Sequence, residues 1–271
     1  MKMWIVLQLS VITLSTLSAC RSGAERILVI AHRGDSAAAP ENTLAAFRGA
    51  VAKHADYVEL DTRASADGTL YCLHDDTVDR TTNAVATLGG EKIKFSQLTD
   101  QQIDTLDAGA WFDARYTGER IPRLADALAA IQADSRTLLE RKAGSAESHA
   151  RMLREKKLIG KLIVQSFDWQ FLEELHKLEP TQPLAVLGDK AFDERRWAGL
   201  PATGAQIVAW KHSDLNADLI AQLHARGYKV FAWTVDELAD WQRLAAAGID
   251  GIITNRPGEL RQAIREGKLA S

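Results

Sequence analysis

What constrains this chain most is the alternation of two hydrophobic patterns. Short apolar runs alternate with amphipathic stretches from Ile27 to the end. The runs are Ile27–Ala31, Tyr57–Asp61, Thr137–Glu140, Leu162–Gln165, Leu184–Leu187, Gln206–Ala209, Val230–Trp233 and Gly251–Ile253. Each has the length of a buried strand. Between them, apolar residues recur at helical spacing, as in Leu44, Phe47 and Val51, or Leu124, Leu128 and Ile131, or Leu215, Leu219 and Leu223. Start signals stand at Asn42 and at Ser213 or Asp214, and Gly227 is a stop. Eight such strand–helix exchanges predict an α/β fold of the (β/α)8 or TIM-barrel type. A doubly wound sheet competes, but it usually opens on a glycine-rich phosphate loop, and the sequence has none.

One stretch breaks the rhythm. Leu70 to Leu73 reads as an extra strand, hairpinned to Tyr57–Asp61 through Asp67-Gly68. Residues 75–120 then separate it from a helix near Pro122. A connection that long inside a compact domain usually carries function. It has its own helical stretch near Thr99 to Thr105 and an aromatic cluster of Trp111, Phe112 and Tyr116. We read it as a small inserted domain after the second strand, its aromatics either walling a pocket or filling the insert's core.

The first twenty residues follow another logic. "MKMWIVLQLSVITLSTLSAC" has an early Lys2, an apolar middle and small residues before Cys20. Gln8 and Ser10 interrupt it, and it is short for a spanning helix, so it reads as an export signal. Leu17-Ser18-Ala19-Cys20 resembles a bacterial lipobox, which implies cleavage before Cys20 and lipid on its thiol. The expected layout is a signal over 1–19, a lipidated tether over 20–26 and the barrel domain over 27–271. More than one acyl chain makes such an anchor stable. The expected location is the periplasmic side of a membrane, and Arg21 after the cysteine favours the outer one. Cys72 is then unpaired, and no disulfide framework exists. A net charge of -3 argues against nucleic acid as a partner.

Barrel enzymes carry their working groups at the C-terminal ends of the strands. The first strand ends in His32 and Arg33. The second is "YVELD", and alternation puts Glu59 and Asp61 on one inward face. Two buried carboxylates that close repel, and a hard divalent cation resolves the conflict. The third strand, "TLLERK", adds Glu140 and Lys142 on one face. The extra hairpin strand runs into His74-Asp75. Three carboxylates, two imidazoles and two fixed cations suit an anionic substrate, and a phosphodiester fits best.

Several stretches carry a resemblance to a known family. They are "AHRGDSAAAPENTLAAF", "DYVELDTRASADGTLYCLHDDTVDRTTN", "LDAGAWFDARYTGERIPRL", "TLLERK", "VQSFDWQFL", "FAWTVDE" and "GIDGIITNRP". In this order they resemble glycerophosphodiester phosphodiesterases, in a bacterial lipoprotein form. The resemblance implies a TIM barrel with a small insertion. It implies hydrolysis of glycerophosphodiesters to sn-glycerol 3-phosphate and an alcohol, with one bound Mg²⁺ or Ca²⁺. Carried over by position, the metal ligands fall on Glu59, Asp61 and Glu140, and the catalytic histidines on His32 and His74. Arg33 and Lys142 match phosphate-contacting cations, and Trp233, on one face with Phe231, matches a pocket-lining position, with packing in the core as the alternative.

Three departures from the family pattern are Thr62, Arg141 and Asn255, where Val, an apolar residue and Asp are common. Alternation points Arg141 outward, and neither Thr62 nor Asn255 is expected to touch the working groups. Helix capping accounts for Asn42. Glu41 is a candidate for ordering the working groups, and Gln165 for a polar contact. The other histidines lack carboxylate partners at metal spacing. Two further readings keep the fold: a lysophospholipase D or phospholipase acting on membrane lipids, and a non-catalytic lipoprotein that captures glycerophosphodiesters.

Overall fold

The computed structural model describes residues 27–269. The signal, Cys20 and the tether therefore lie outside the described residues. Nine strands form one sheet: β1 Leu28–Ala31, β2 Tyr57–Ala64, β3 Leu70–Cys72, β4 Arg136–Arg141, β5 Leu162–Ser166, β6 Leu184–Gly188, β7 Ile207–Lys211, β8 Lys229–Trp233 and β9 Gly251–Thr254. Their order is β1-β9-β8-β7-β6-β5-β4-β2-β3, and β1 also pairs with β2. That extra pairing closes eight parallel strands into the barrel that the alternation predicts. β3 is the exception: it runs antiparallel to the far half of β2, Thr62 opposite Cys72 and Ala64 opposite Leu70. This pairing carries β2 three residues past the run read from sequence.

Alternation sorts the strand residues into two cores. Inside the barrel lie Ile30, Tyr57, Leu138, Ile163, Ala185, Leu187, Ile207, Ala209, Phe231 and Ile253. Facing the helices are Val29, Val58, Leu60, Leu139, Val164, Val186, Val208, Val230 and Ile252. A third cluster joins Tyr71, Val78, Phe95, Leu98, Ile103, Leu106 and Ile121, so residues 75–120 have apolar packing separate from the barrel's. Trp111 is not part of it. It stands 40% exposed, edge-on to Phe112, which in turn meets Tyr116. The Tyr116 hydroxyl donates to the Ala38 carbonyl at 2.7 Å and ties this segment to the loop after β1.

Two helix starts differ from the sequence reading. Thr43, not Asn42, caps the helix Leu44–Ala52, its hydroxyl accepting from the Ala46 amide. The helix after β7 is Ala217–His224, capped by Asn216 through the Leu219 amide. Ser213 and Asp214 form a 3-10 turn before it. In both cases two capping-type residues lie close together, and composition does not say which of them has the extended backbone a cap needs.

Candidate active site

The turn after β1 fixes the site's first two groups. Arg33 has φ 54° and Gly34 φ 85°. A Cβ at Gly34 would sit 2.6 Å from the Ala46 carbonyl carbon, so only glycine fits there. The left-handed backbone at Arg33 aims its amide at Glu59, donating to Oε2 at 2.8 Å. Its guanidinium meets Asp61 Oδ2 at 3.3 Å and donates to Glu41 at 2.8 Å. Asn42, also left-handed at φ 57°, donates to Asp61 Oδ2 at 2.8 Å and accepts the Asp61 amide. This is its task in place of capping.

Across the strands, Asp61 on β2 stands in register with Glu140 on β4. Carboxylate oxygens of Glu59, Asp61 and Glu140 lie within 4.8 Å of one another, and all three residues are buried. Lys142 sits 2.5 Å from Glu140 and 3.2 Å from Asp61. The three carboxyls respond differently. Burial pushes Glu59 well above the usual range, and the charges of Asp61 and Glu140 push it further. Burial and Asp61 raise Glu140 to about 7 against the pull of Lys142. Burial acts on Asp61 in the same sense, but Lys142, Arg33 and His74 overcome it and hold Asp61 at about 2. Glu59 Oε1 is buried without a hydrogen-bond partner. An all-oxygen donor set, crowded and incompletely partnered, fits a hard divalent cation.

The two imidazoles are held differently. His32 Nδ1 lies 2.7 Å from Asn255 Oδ1. Asn255 Nδ2 donates to Asp236 at 2.6 Å, and its Oδ1 also accepts from Ser36. The amide is thereby oriented, and His32 carries its proton on Nδ1 with Nε2 left as an acceptor. Burial and the neighbouring Arg33 charge lower His32 to about 4. His74 Nδ1 lies 2.7 Å from Asp75 Oδ1, a carboxylate instead of an amide. Arg63, beyond Asp61 on the same face of β2, donates twice to the His74 carbonyl and fixes its backbone. Burial lowers His74 too, against the pull of Asp61.

A cavity of about 410 Å³ opens beside these groups, walled by His32, Arg33, Ser36, Glu41, Asp236 and Asn255 among others. Trp233 is not one of its wall residues. It ends β8, packs on the barrel interior, donates to the Ala209 carbonyl and meets Phe167 edge-on at 5.5 Å. Gln165 is buried next to Glu140 in register, its Oε1 without a partner. Arg141 points outward as expected, to Asp168 and over the Phe171 ring. Thr62 donates to the Glu140 carbonyl. The expectation that fails is Asn255: it touches His32 directly. The signal was available, because Asn255 is two residues past the inward-facing Ile253. Arg80 and Asp236 were missed outright, their sequence neighbours giving no hint of what they reach.

Fold and site together define a barrel of the enzyme type, with carboxylates, imidazoles and fixed cations gathered at the C-terminal ends of β1, β2 and β4. Comparison with known proteins narrows the class. Residues 32–259 match the model of the glycerophosphoryl diester phosphodiesterase family. The Bacillus subtilis protein YhdW is 36% identical over 247 residues, covering 89% of this chain and 98% of that one. The glycerophosphodiester phosphodiesterase of Caldanaerobacter subterraneus subsp. tengcongensis is 34% identical over 249 residues, covering 89% and 99%. Among solved structures, the Oleispira antarctica phosphodiesterase in complex with the product sn-glycerol-3-phosphate superposes with a TM-score of 0.79. It is 27% identical, with 88% of this chain and 96% of that one covered. The chain belongs to the glycerophosphoryl diester phosphodiesterase family and is a phosphoric diester hydrolase.

Proposed function

We propose that this protein hydrolyses glycerophosphodiesters to sn-glycerol 3-phosphate and an alcohol, using one divalent cation held by Glu59, Asp61 and Glu140. The observation that carries the reading is that carboxylate trio, its oxygens within 4.8 Å of one another and flanked by two cations. Bound there, Mg²⁺ or Ca²⁺ supplies positive charge against the phosphate oxygens. Arg33 and Lys142 add fixed charge at the same place and orient the diester. His32 is the base. It is neutral at ordinary pH, with Nε2 free, and takes the proton of the attacking hydroxyl: water gives glycerol 3-phosphate directly, while the substrate's own glycerol hydroxyl gives a cyclic phosphate that water then opens to glycerol 3-phosphate. His74 is the acid. Burial lowers the group; Asp61 and, more weakly, Asp75 pull the other way, and Asp75 holds the ring so that its protonated form can give its proton to the leaving alcohol as the P–O bond breaks. Trp233 and Phe167, edge-on to each other and outside the walls of the cavity beside His32 and Arg33, would meet only an organic part of the substrate that extends beyond it.

We also propose that residues 75–120 form a small inserted domain, and that the protein is exported and anchored through Cys20. The sequence of residues 1–20 supports the second reading. The test of function is product analysis. Purified protein with glycerophosphocholine should release glycerol 3-phosphate, and EDTA should stop it. Release unaffected by EDTA would remove the cation from the mechanism. Turnover confined to lysophospholipids would move the substrate to membrane lipids.

A further inference from the structure

The loop after β3 contributes a side chain that meets neither the substrate cavity nor the carboxylate trio, yet joins the groups behind both. Arg80 Nε donates to Asp75 Oδ2 at 2.6 Å, and its Nη2 to Asp75 Oδ1 at 3.2 Å. The same guanidinium donates to Glu41 Oε2 at 2.9 Å through Nη1 and to Oε1 at 2.7 Å through Nη2. Both carboxylates are already engaged with the site. Asp75 Oδ1 faces His74 Nδ1, and Glu41 Oε1 accepts from Arg33 Nη1. One chain of alternating charge thus runs from His74 through Asp75, Arg80, Glu41 and Arg33 to Asp61.

We propose that Arg80 is a positioning residue for the reaction: it sets the ring orientation of His74 through Asp75 and the reach of Arg33 through Glu41. The inference rests on the catalytic reading of His74 and Arg33 given above. Three features argue for it over a plain surface ion pair. The Arg80 side chain is 46% exposed, where ion pairs add little to stability. Its planar fork donates two hydrogen bonds to each of two carboxylates, more than the three N–H groups of a lysine ammonium can supply. It also joins two segments far apart in sequence, residues 75–80 and the loop after β1, each of which carries part of the site. Without Arg80, Glu41 and Asp75 each lose two hydrogen bonds. Arg33 is then free to follow Glu41 away from the phosphate position, and the Asp75 carboxylate is free to turn from His74.

The test is steady-state kinetics on Arg80→Ala and Arg80→Lys, with glycerophosphocholine as substrate. Loss of a residue that orients a working group costs about 10–100-fold in activity. We expect a kcat loss of that size for Arg80→Ala, a rise in KM, and little recovery in Arg80→Lys. The melting temperature should stay at the wild-type value. A merely structural role is separated by two readouts. In an Asp75→Asn background, Arg80→Ala should have almost no further effect on kcat; in Glu41→Gln, almost none on KM. Guanidinium ion, at a concentration that leaves the fold intact, should partly restore Arg80→Ala and leave wild type unchanged. Wild-type kcat and KM in Arg80→Ala, beside an inactive His74→Ala, would overturn the inference and leave the catalytic reading standing. Fully additive losses with a lowered melting temperature would overturn it as well. Full turnover by His74→Ala would instead remove the reading beneath it.

Discussion

On β5 to β8 the inward residues are mostly apolar, with Ile163, Ala185, Leu187, Ile207, Ala209 and Phe231 nearly all inaccessible and Gln165, in register with Glu140, and Trp233 at the strand ends. On β1, β2 and β4 the same positions begin with Ile30, Tyr57 and Leu138 and then change to His32, Glu59, Asp61, Glu140 and Lys142. The backbone rule is identical on the two sides, so the content differs for reasons of chemistry. The apolar side gains stability by burial. The charged side costs stability, because Glu59 and Glu140 are held where burial disfavours their charge. Arg33 and Lys142 offset part of that cost, and a divalent cation at the trio would offset more of it.

That contrast can be broken from either side. The largest effect belongs to His32→Ala and His74→Ala, each of which should lower kcat about 10²–10⁴-fold. The melting temperature should move little, since neither side chain belongs to an apolar core cluster. Wild-type turnover in either variant, measured as glycerol 3-phosphate release, would end the role assigned to it. On the other side, Phe231→Ala should cost about 3–5 kcal/mol in urea unfolding, the range for an aromatic removed from a core. Its kcat per folded molecule should stay near wild type. A Phe231 variant that is stable but inactive would mean that the apolar side also does chemistry.

The pH dependence sharpens the same point. Glu140 has its carboxyl raised from 4.5 to about 7 in the folded chain. A raised group holds its proton more tightly when folded. Its contribution to stability is therefore full below 4.5 and lost as pH rises through about 7. In EDTA the melting temperature should fall across that window. Excess Mg²⁺ or Ca²⁺ should flatten or reverse the fall, because the cation competes with the proton. The smallest predicted effect is kinetic. His32 is lowered to about 4, so the acid limb of kcat/KM should lie well below 6.5, the ordinary histidine value. A limb at 6.5 would take His32 out of the role of base.

Much of this arrangement was legible in the sequence, and for a definite reason. A strand's two-residue period is local, so Glu59 with Asp61, and Glu140 with Lys142, could be put on shared faces without knowing the neighbours. The sheet order then sets β2 beside β4, and the trio follows. What was not legible depends on turns and on distant contacts. Asn42 reads as a cap by composition, but its left-handed backbone turns it onto Asp61, and Thr43 caps the helix instead. Asn255 reaches His32 across 223 positions, and Arg80 reaches Glu41 across 39. Alternation puts Asn255 on the inward face two residues past Ile253, but no local pattern names His32 as its partner, and none encodes the Arg80 contact.

The most direct test of the account is calorimetric titration of cation into metal-stripped protein. It predicts one Mg²⁺ or Ca²⁺ per chain, return of glycerophosphodiester turnover over the same concentration range, and no measurable binding in Asp61→Asn. Unchanged binding by Asp61→Asn, or full turnover with no cation bound, would contradict it.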